Sequence, residues 1–130
     1  MGASARDGVL VSHIMSHITV RARCVLHPDA LTPFKALIHQ LSALVRAHDH
    51  GTLRYDWYFN EEETVCVLIE AYESSEATLA HFGVVAPHLG ALFALCDAEF
   101  EVYGTPSPDL LAASASLPKR LFAPFELLRG

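Results

Sequence analysis

The sequence predicts an α+β domain with the element order βαββαβ, a four-stranded antiparallel sheet and helices packed on one face of that sheet. Two observations lead to this prediction. Residues 17–25 and 52–59 alternate apolar and polar side chains, and residues 64–72 and 98–104 form two further short apolar-rich runs, as strands do. Between these runs lie two segments whose apolar residues recur at helical spacing.

The first half of the chain reads as one β-α-β unit. The alternation in residues 17–25 places Ile18 and Cys24 on the same, inward face. The helix that follows is expected to begin at Thr32, with Pro33 in its first position, and to stop at Gly51.

A hairpin is expected at the centre of the chain. The polar residues 60–63 separate two strand-like runs by a short turn, so these strands should pair antiparallel. The second of them is apolar on both faces, which is typical of a central strand, yet it contains Glu70. Because burying a lone carboxylate is costly, Glu70 needs a partner, and Arg21, Arg54 or a histidine could provide it.

The second half repeats the pattern. Ser74 or Ser75 is expected to cap the next helix. Gly83 is expected to interrupt that helix, and Pro87 to begin a second helical piece. Residues 98–104 then form the last strand of the predicted sheet.

The 130 residues suit one compact domain. We expect a loose leader over residues 1–15, the βαββαβ domain over 16–104, and a tail over 105–130. The tail contains a short helical piece near residues 109–115 and several apolar residues after it. Such residues usually lie against something, so we expect the tail to pack on its own subunit or on a partner subunit.

Composition excludes several functions. The formal net charge of −6 and the scattered basic residues disfavour nucleic acid and anionic membranes as partners. We find no apolar run near the roughly 20 residues of a membrane helix, and we expect a cytoplasmic protein. The three cysteines show no CxxC spacing, and no HExxH or Cys/His zinc pattern occurs, so no metal site is expected.

The stretches GTLRYDWYFNEEETVCVLIEAYESSEATLAHF and FEVYGTPSPDLL carry a family likeness. Over roughly residues 17–110 the chain resembles the antibiotic biosynthesis monooxygenase (ABM) family of the dimeric α/β-barrel superfamily. The resemblance implies a ferredoxin-like subunit, a homodimer or higher oligomer in which two sheets form one barrel, and a small-molecule pocket between sheet and helices. It also implies oxidation of phenolic, anthrone or quinol compounds by molecular oxygen without a cofactor.

Other members of the family degrade heme. That branch has an asparagine on the first strand, a tryptophan at the end of an E-x-[WY] strand and a histidine on the later helix. Here the corresponding places hold Ser16 or His17, then Tyr72, then His88. Since the asparagine and the tryptophan are missing, heme degradation is disfavoured.

Oxygenation without a cofactor needs a base with a pKa near 7, polar groups that hold the substrate anion, and an apolar shell. Histidine meets the first need, and His81 and His88 are the candidate catalytic residues. The candidate substrate-binding residues are aromatic or acidic: Tyr55, Trp57, Glu70 and Tyr72. Each also has a structural interpretation, with His81 bonded to Glu70 for stability and Trp57 packed in the core.

Two function classes therefore remain. One is a cofactor-independent monooxygenase of a small aromatic substrate, and the other is a non-catalytic binding or stress-response dimer of the same fold. A closed cavity holding one of the histidines favours the enzyme, whereas a cavity filled by Phe82, Phe93 or the tail favours the binding protein. An RNA-binding domain fits poorly, because the third strand lacks the basic and aromatic signature of such domains.

Overall fold

A computed structural model of the protein describes residues 16–128. The elements, in chain order, are β1 (Ile18–Leu26), α1 (Leu31–His48), β2 (Thr52–Phe59), β3 (Val65–Tyr72), α2 (Ser75–Leu95), β4 (Cys96–Tyr103), α3 (Pro108–Ala113) and β5 (Lys119–Phe122). This confirms the predicted α+β fold and its βαββαβ order. The expected leader over residues 1–15 lies outside the described residues.

The strands form one sheet in the order β2-β3-β1-β4-β5. Strands β2 and β3 pair antiparallel as the expected hairpin, and β1 pairs antiparallel with both β3 and β4. The tail adds β5, which runs parallel to β4. This fifth strand extends the four predicted ones, and its four residues, KRLF, are too short to show an alternating pattern.

Two rows of side chains cross the sheet on the face that carries the helices. The register of the paired strands aligns the first row as Trp57, Leu68, Ala22, Phe100 and Lys119. It aligns the second row as Tyr55, Glu70, Val20, Val102 and Leu121. These rows run from the edge strand β2 to the edge strand β5, and they bring residues far apart in sequence onto one surface.

The helix boundaries differ from the prediction in two places. Helix α1 begins at Leu31 after Ala30, which makes no side-chain capping bond, so Thr32 is not the cap. Pro33 is still tolerated, because backbone N–H groups in the first turn of a helix have no acceptor within the helix, so the N–H that proline lacks costs no hydrogen bond. At the start of α2, the Ser74 side chain accepts a hydrogen bond from the backbone N–H of Ala77, as a cap does.

Helix α2 is continuous from Ser75 to Leu95, so the predicted interruption at Gly83 and the new start at Pro87 were wrong. An interior proline costs a helix about 3 kcal/mol or more. Here α2 packs against the sheet and against α1, and this burial stabilises the helix across the proline. His81 and His88 therefore belong to one helix.

The expectation that no segment is long and apolar enough to cross a membrane also needs correction. Helix α2 passes that test by length and composition, with a mean hydropathy of 1.5 over 18 residues. Of that window, 22% is buried within the described residues. In this fold the helix lies on the sheet, and its inner face contributes Thr78, His81, Val85 and Leu92 to the interior.

Candidate active site

A cavity of about 100 Å³ lies between the sheet and α2, with α3 and the tail along one side. Its floor consists of the two rows described above, all of which line it. Helix α2 contributes Thr78, His81, Phe82, Val85, Leu89 and Leu92. For scale, an engineered apolar cavity of about 150 Å³ binds benzene. The volume therefore suits one enclosed aromatic ring, with the rest of a larger molecule reaching towards the mouth.

The two ends of the cavity differ in exposure. At one end, Glu70, Tyr72 and His81 are buried. At the other end, the tail residues Leu117 and Lys119 are half-buried and Leu121 is 51% exposed. The mouth therefore lies on the side of the tail, and a ligand that enters there reaches the polar residues last.

The imidazole of His81 is held between two carboxylates. Its Nδ1 lies 2.6 Å from Oδ2 of Asp49, and its Nε2 lies 3.3 Å from Oε1 of Glu70. Burial lowers the pKa of His81, but the hydrogen bonds and negative charges of Glu70 and then of Asp49 outweigh it, so the pKa lies above its usual 6.5. Since both nitrogens face carboxylate acceptors, the favoured form is the imidazolium, which donates from both.

Sequence reasoning missed Asp49. It follows the last residue of α1, and its side chain is 0% exposed. Gly51 lets this segment approach α2, because a Cβ there would lie 2.5 Å from the Cβ of Ala77. The backbone N–H of Glu73 donates to the carbonyl of Gly51 and fastens the same approach. The available signal was a carboxylate at the helix end two residues before a glycine.

Glu70 faces the interior and binds two polar groups. The Tyr72 hydroxyl donates a short hydrogen bond to Oε1 of Glu70, and His81 contacts the same oxygen. Burial and then the charge of Glu70 raise the pKa of Tyr72 well above its usual range, so Tyr72 stays a phenol. Of the three partners considered for Glu70 from the sequence, the structure has the histidine, His81.

The two arginines considered as partners of Glu70 bind elsewhere. Arg21 pairs with Glu101 at 3.3 Å, and Arg54 pairs with Asp56 at 2.6 Å. Successive strand residues point to opposite faces, and both arginines lie on the face of the sheet away from the helices. They cannot reach a carboxylate on the other face.

Tyr55 and Trp57 line the cavity beside the histidine. The ring of Tyr55 lies 5.2 Å from that of His81 and 5.5 Å from that of Trp57, measured between centroids. Burial raises the pKa of the Tyr55 hydroxyl, which therefore remains protonated. The indole N–H of Trp57 is buried and has no hydrogen-bond partner within residues 16–128. An unpaired buried donor is costly, and a ligand oxygen would satisfy it.

The family model for antibiotic biosynthesis monooxygenases matches residues 17–88, more than half of the chain. This chain belongs to that family. All of Asp49, Tyr55, Trp57, Glu70, Tyr72 and His81 fall within the matched residues. The tail segment that lines the mouth of the cavity lies beyond them.

Solved structures show the same ABM fold. The chain superimposes on MupZ from Pseudomonas fluorescens with a TM-score of 0.76 and 20% identity, covering 86% of this chain and 93% of MupZ. For Rv0793 from Mycobacterium tuberculosis the TM-score is 0.63 at 26% identity, with coverages of 71% and 97%. SnoaB from Streptomyces nogalater, a cofactor-independent oxygenase, gives 0.60 and 19%, covering 71% and 95%. No curated protein sequence matches the chain significantly.

The second candidate histidine of this ABM-family chain lies apart from the site. His88 lies within the α2 segment, about two turns after His81. Its side chain is half-buried and does not line the cavity. The expectation that it stands at the start of a helix was wrong, because α2 does not restart at Pro87. Within residues 16–128, no group of three or more His, Cys, Asp or Glu side chains is arranged to hold a metal ion.

Proposed function

We propose that this ABM-family protein is a cofactor-independent monooxygenase that oxidises a small aromatic, phenolic or quinol-type substrate with molecular oxygen. One observation carries the proposal. The chain Asp49–His81–Glu70–Tyr72 is buried at the inner end of a mostly apolar cavity. A proton-accepting group in a site that excludes water is what oxygenation without a cofactor requires.

Glu70 is the proposed base and His81 its electrostatic partner. An imidazolium between two carboxylates has no free lone pair, so His81 cannot itself accept the first proton in this arrangement. The carboxylate of Glu70 lines the cavity and can accept it. The positive charge of His81 then stays beside the substrate anion, and the unpaired indole N–H of Trp57 can donate to the anionic oxygen.

The reaction balances with oxygen as the only oxidant. Loss of a proton from an activated CH₂ group to Glu70 leaves a carbanion, which transfers one electron to O₂. The radical pair combines to form a C–O bond, and Glu70 returns its proton to the resulting peroxide. Loss of the second C–H proton with cleavage of the O–O bond leaves C=O on the substrate and releases water. The substrate supplies all four electrons.

The aromatic wall supports the same substrate class. Tyr55 and Trp57 offer flat faces and edges to a ring, and the indole N–H of Trp57 offers an unused donor to a substrate oxygen. SnoaB, which shares this fold, is itself a cofactor-independent oxygenase. The cavity has a mouth on the side of the tail, so it is not the closed cavity expected above, but neither Phe82 nor the tail fills it, because both form its walls. An unfilled cavity lined by His81, Trp57 and Tyr72 supports the enzyme over a non-catalytic binding protein.

We also propose that two copies pair through the sheet face opposite the helices. Val67, Ile69 and Ala71 of the inner strand β3 lie on that face, and Tyr58 beside them is 50% exposed. Apolar side chains on an open sheet face usually have a cover. The three cysteines are free thiols, which suits a reducing compartment, and we place the dimer in the cytoplasm.

Oxygen consumption tests the proposal directly. Anthrones, quinols and catechols are offered to the protein under ¹⁸O₂, and uptake and product mass are followed. We expect turnover of at least one class with one labelled oxygen atom in the product. His81→Gln should lower this turnover about 100-fold or more, while His88→Gln serves as the matched control. Absence of substrate-dependent uptake with every class would leave the non-catalytic binding dimer as the better account.

A further inference from the structure

We propose that the mouth of the cavity recognises an anionic group of the ligand through Lys119, so that the site selects aromatic molecules with a carboxylate at the end remote from the reacting ring. This inference rests on the proposed function for the identity of the reacting ring. The recognition of the anion is a binding property and can be tested without turnover.

Lys119 is placed on the cavity by its register in the sheet. It pairs with Phe100 of β4, and its side chain lines the cavity while that of the next residue, Arg120, lies on the opposite face of the strand. Its Nζ donates to the carbonyl of Ser114 at 2.8 Å and to that of Leu117 at 3.5 Å. Within the described chain it forms no ion pair, so its positive charge faces no carboxylate.

The two ends of the cavity therefore differ in their charged groups. At the inner end, the carboxyl groups of Asp49 and Glu70 flank the single imidazole of His81. At the mouth, the ammonium of Lys119 is the only charged side chain among the described residues lining that side. A carboxylate is repelled from the first end and attracted to the second, so an asymmetric ligand binds in one direction.

The span between the ends follows from the strand order. Glu70 on β3 and Lys119 on β5 are separated by three strand-to-strand steps of about 4.8 Å each. Their rows are adjacent on the same face. Since Glu70 and Lys119 both line the cavity, a molecule with one ring enclosed at the inner end and the rest reaching towards the mouth can contact both ends. A single small ring contacts only one of them.

The test compares two ligands that differ only in charge. Binding of anthraquinone-2-carboxylate and of anthraquinone-2-carboxamide is followed by quenching of Trp57, the only tryptophan of the chain, which lines the cavity. We expect the wild-type protein to prefer the carboxylate by about tenfold, as charge-assisted hydrogen bonds are typically worth. Lys119→Gln should remove this preference, and Lys119→Arg should keep it.

Arg120→Gln is the matched control, because it removes the same charge from the same strand on the opposite face, and it should leave the preference unchanged. Circular dichroism establishes that each variant is folded. An undiminished preference in Lys119→Gln, an equal loss in Arg120→Gln, or no binding of either ligand to the wild-type protein would overturn the inference. A preference for the carboxylate without oxygen consumption would instead uphold the recognition of the anion and count against the oxygenase.

Discussion

The imidazole Nδ1 of His81 lies 2.6 Å from the carboxylate of Asp49, although His81 lies within α2 and Asp49 directly follows the end of α1. Both side chains are buried, and the other nitrogen of the same ring faces Glu70. Asp49 touches the cavity only through this histidine. We therefore assign Asp49 as a positioning residue that fixes the orientation and charge of His81.

Replacing Asp49 by Asn should shift the pH profile of the enzyme. The change removes one of the two charges that raise the pKa of His81, so the imidazolium should lose its proton at lower pH. We expect kcat to fall about tenfold or more, as loss of a residue that orients an active-site side chain typically causes, with little change in KM. Steady-state kinetics between pH 5.5 and 9 measures both. An unshifted profile would show that Asp49 has a structural role only.

The two histidines of α2 should behave differently. His81→Gln should lower kcat by about 100-fold or more, because it removes the charge beside Glu70. His88→Gln should leave kcat within about twofold, since His88 is not among the cavity-lining residues. Oxygen uptake with the best substrate gives both values. Equal losses in the two variants would contradict the assignment of His81.

Stability should depend on pH through the same histidine. The folded pKa of His81 is raised above its unfolded value of 6.5, so its stabilising contribution is fully present below pH 6.5 and is lost as the pH rises through the folded pKa. Between the two pKa values the free energy of unfolding should fall by at most about 1.4 kcal/mol per pH unit. Urea unfolding at pH 6 and at pH 8.5 measures the fall, and it should be smaller in His81→Gln.

Trp57 should matter more for ligand binding than for stability. Trp57→Phe retains an aromatic ring against Phe34, whose centroid lies 6.1 Å away, and removes the unpaired indole N–H. We expect the free energy of unfolding to stay within about 1 kcal/mol or to rise, while KM increases severalfold. Trp57→Ala is the contrasting variant and should lose about 3–5 kcal/mol. A large loss of stability in Trp57→Phe would show that the N–H has a partner.

The open sheet face should hold the dimer together. Ile69→Lys places a charge on the outer face of β3 and should convert a dimer to a monomer in light scattering coupled to gel filtration. Ala47→Lys, on the exposed surface of α1, adds the same charge elsewhere and should leave the mass unchanged. A wild-type protein that elutes as a monomer would refute the proposed pairing.

Much of the fold could be predicted because it depends on local patterns. Alternation identified β1 and β2, an apolar run identified β3, and the short polar turn joined β2 to β3 as a hairpin. Boundaries were less predictable. Pro87 predicts the end of a helix, but α2 continues through it because its packing against the sheet stabilises the helix. Strand β5 forms by pairing with the free edge of β4, which its own four residues do not indicate.

The candidate site was predictable only in part. Tyr55, Trp57, Glu70, Tyr72 and His81 could be proposed from residue type and from the family likeness, and they line one cavity. His88 was also proposed as a catalytic residue, because residue type alone does not show whether a histidine on a helix faces the cavity or another side. Neither Asp49 nor Lys119 was among the candidates: the only local signal for Asp49 is its place at a helix end before Gly51, and no local pattern marks Lys119.

By itself, the sequence determined which segments become strands and helices and which face of each is apolar, because these properties follow from the spacing of side chains along the backbone. The tertiary structure alone decided that a carboxylate at the end of α1 reaches a histidine in α2, and that a lysine from the tail stands at the mouth of the same cavity. Contacts of this kind join residues distant along the chain. They arise from the strand order, from the register and from the close approach at Gly51 rather than from any local pattern.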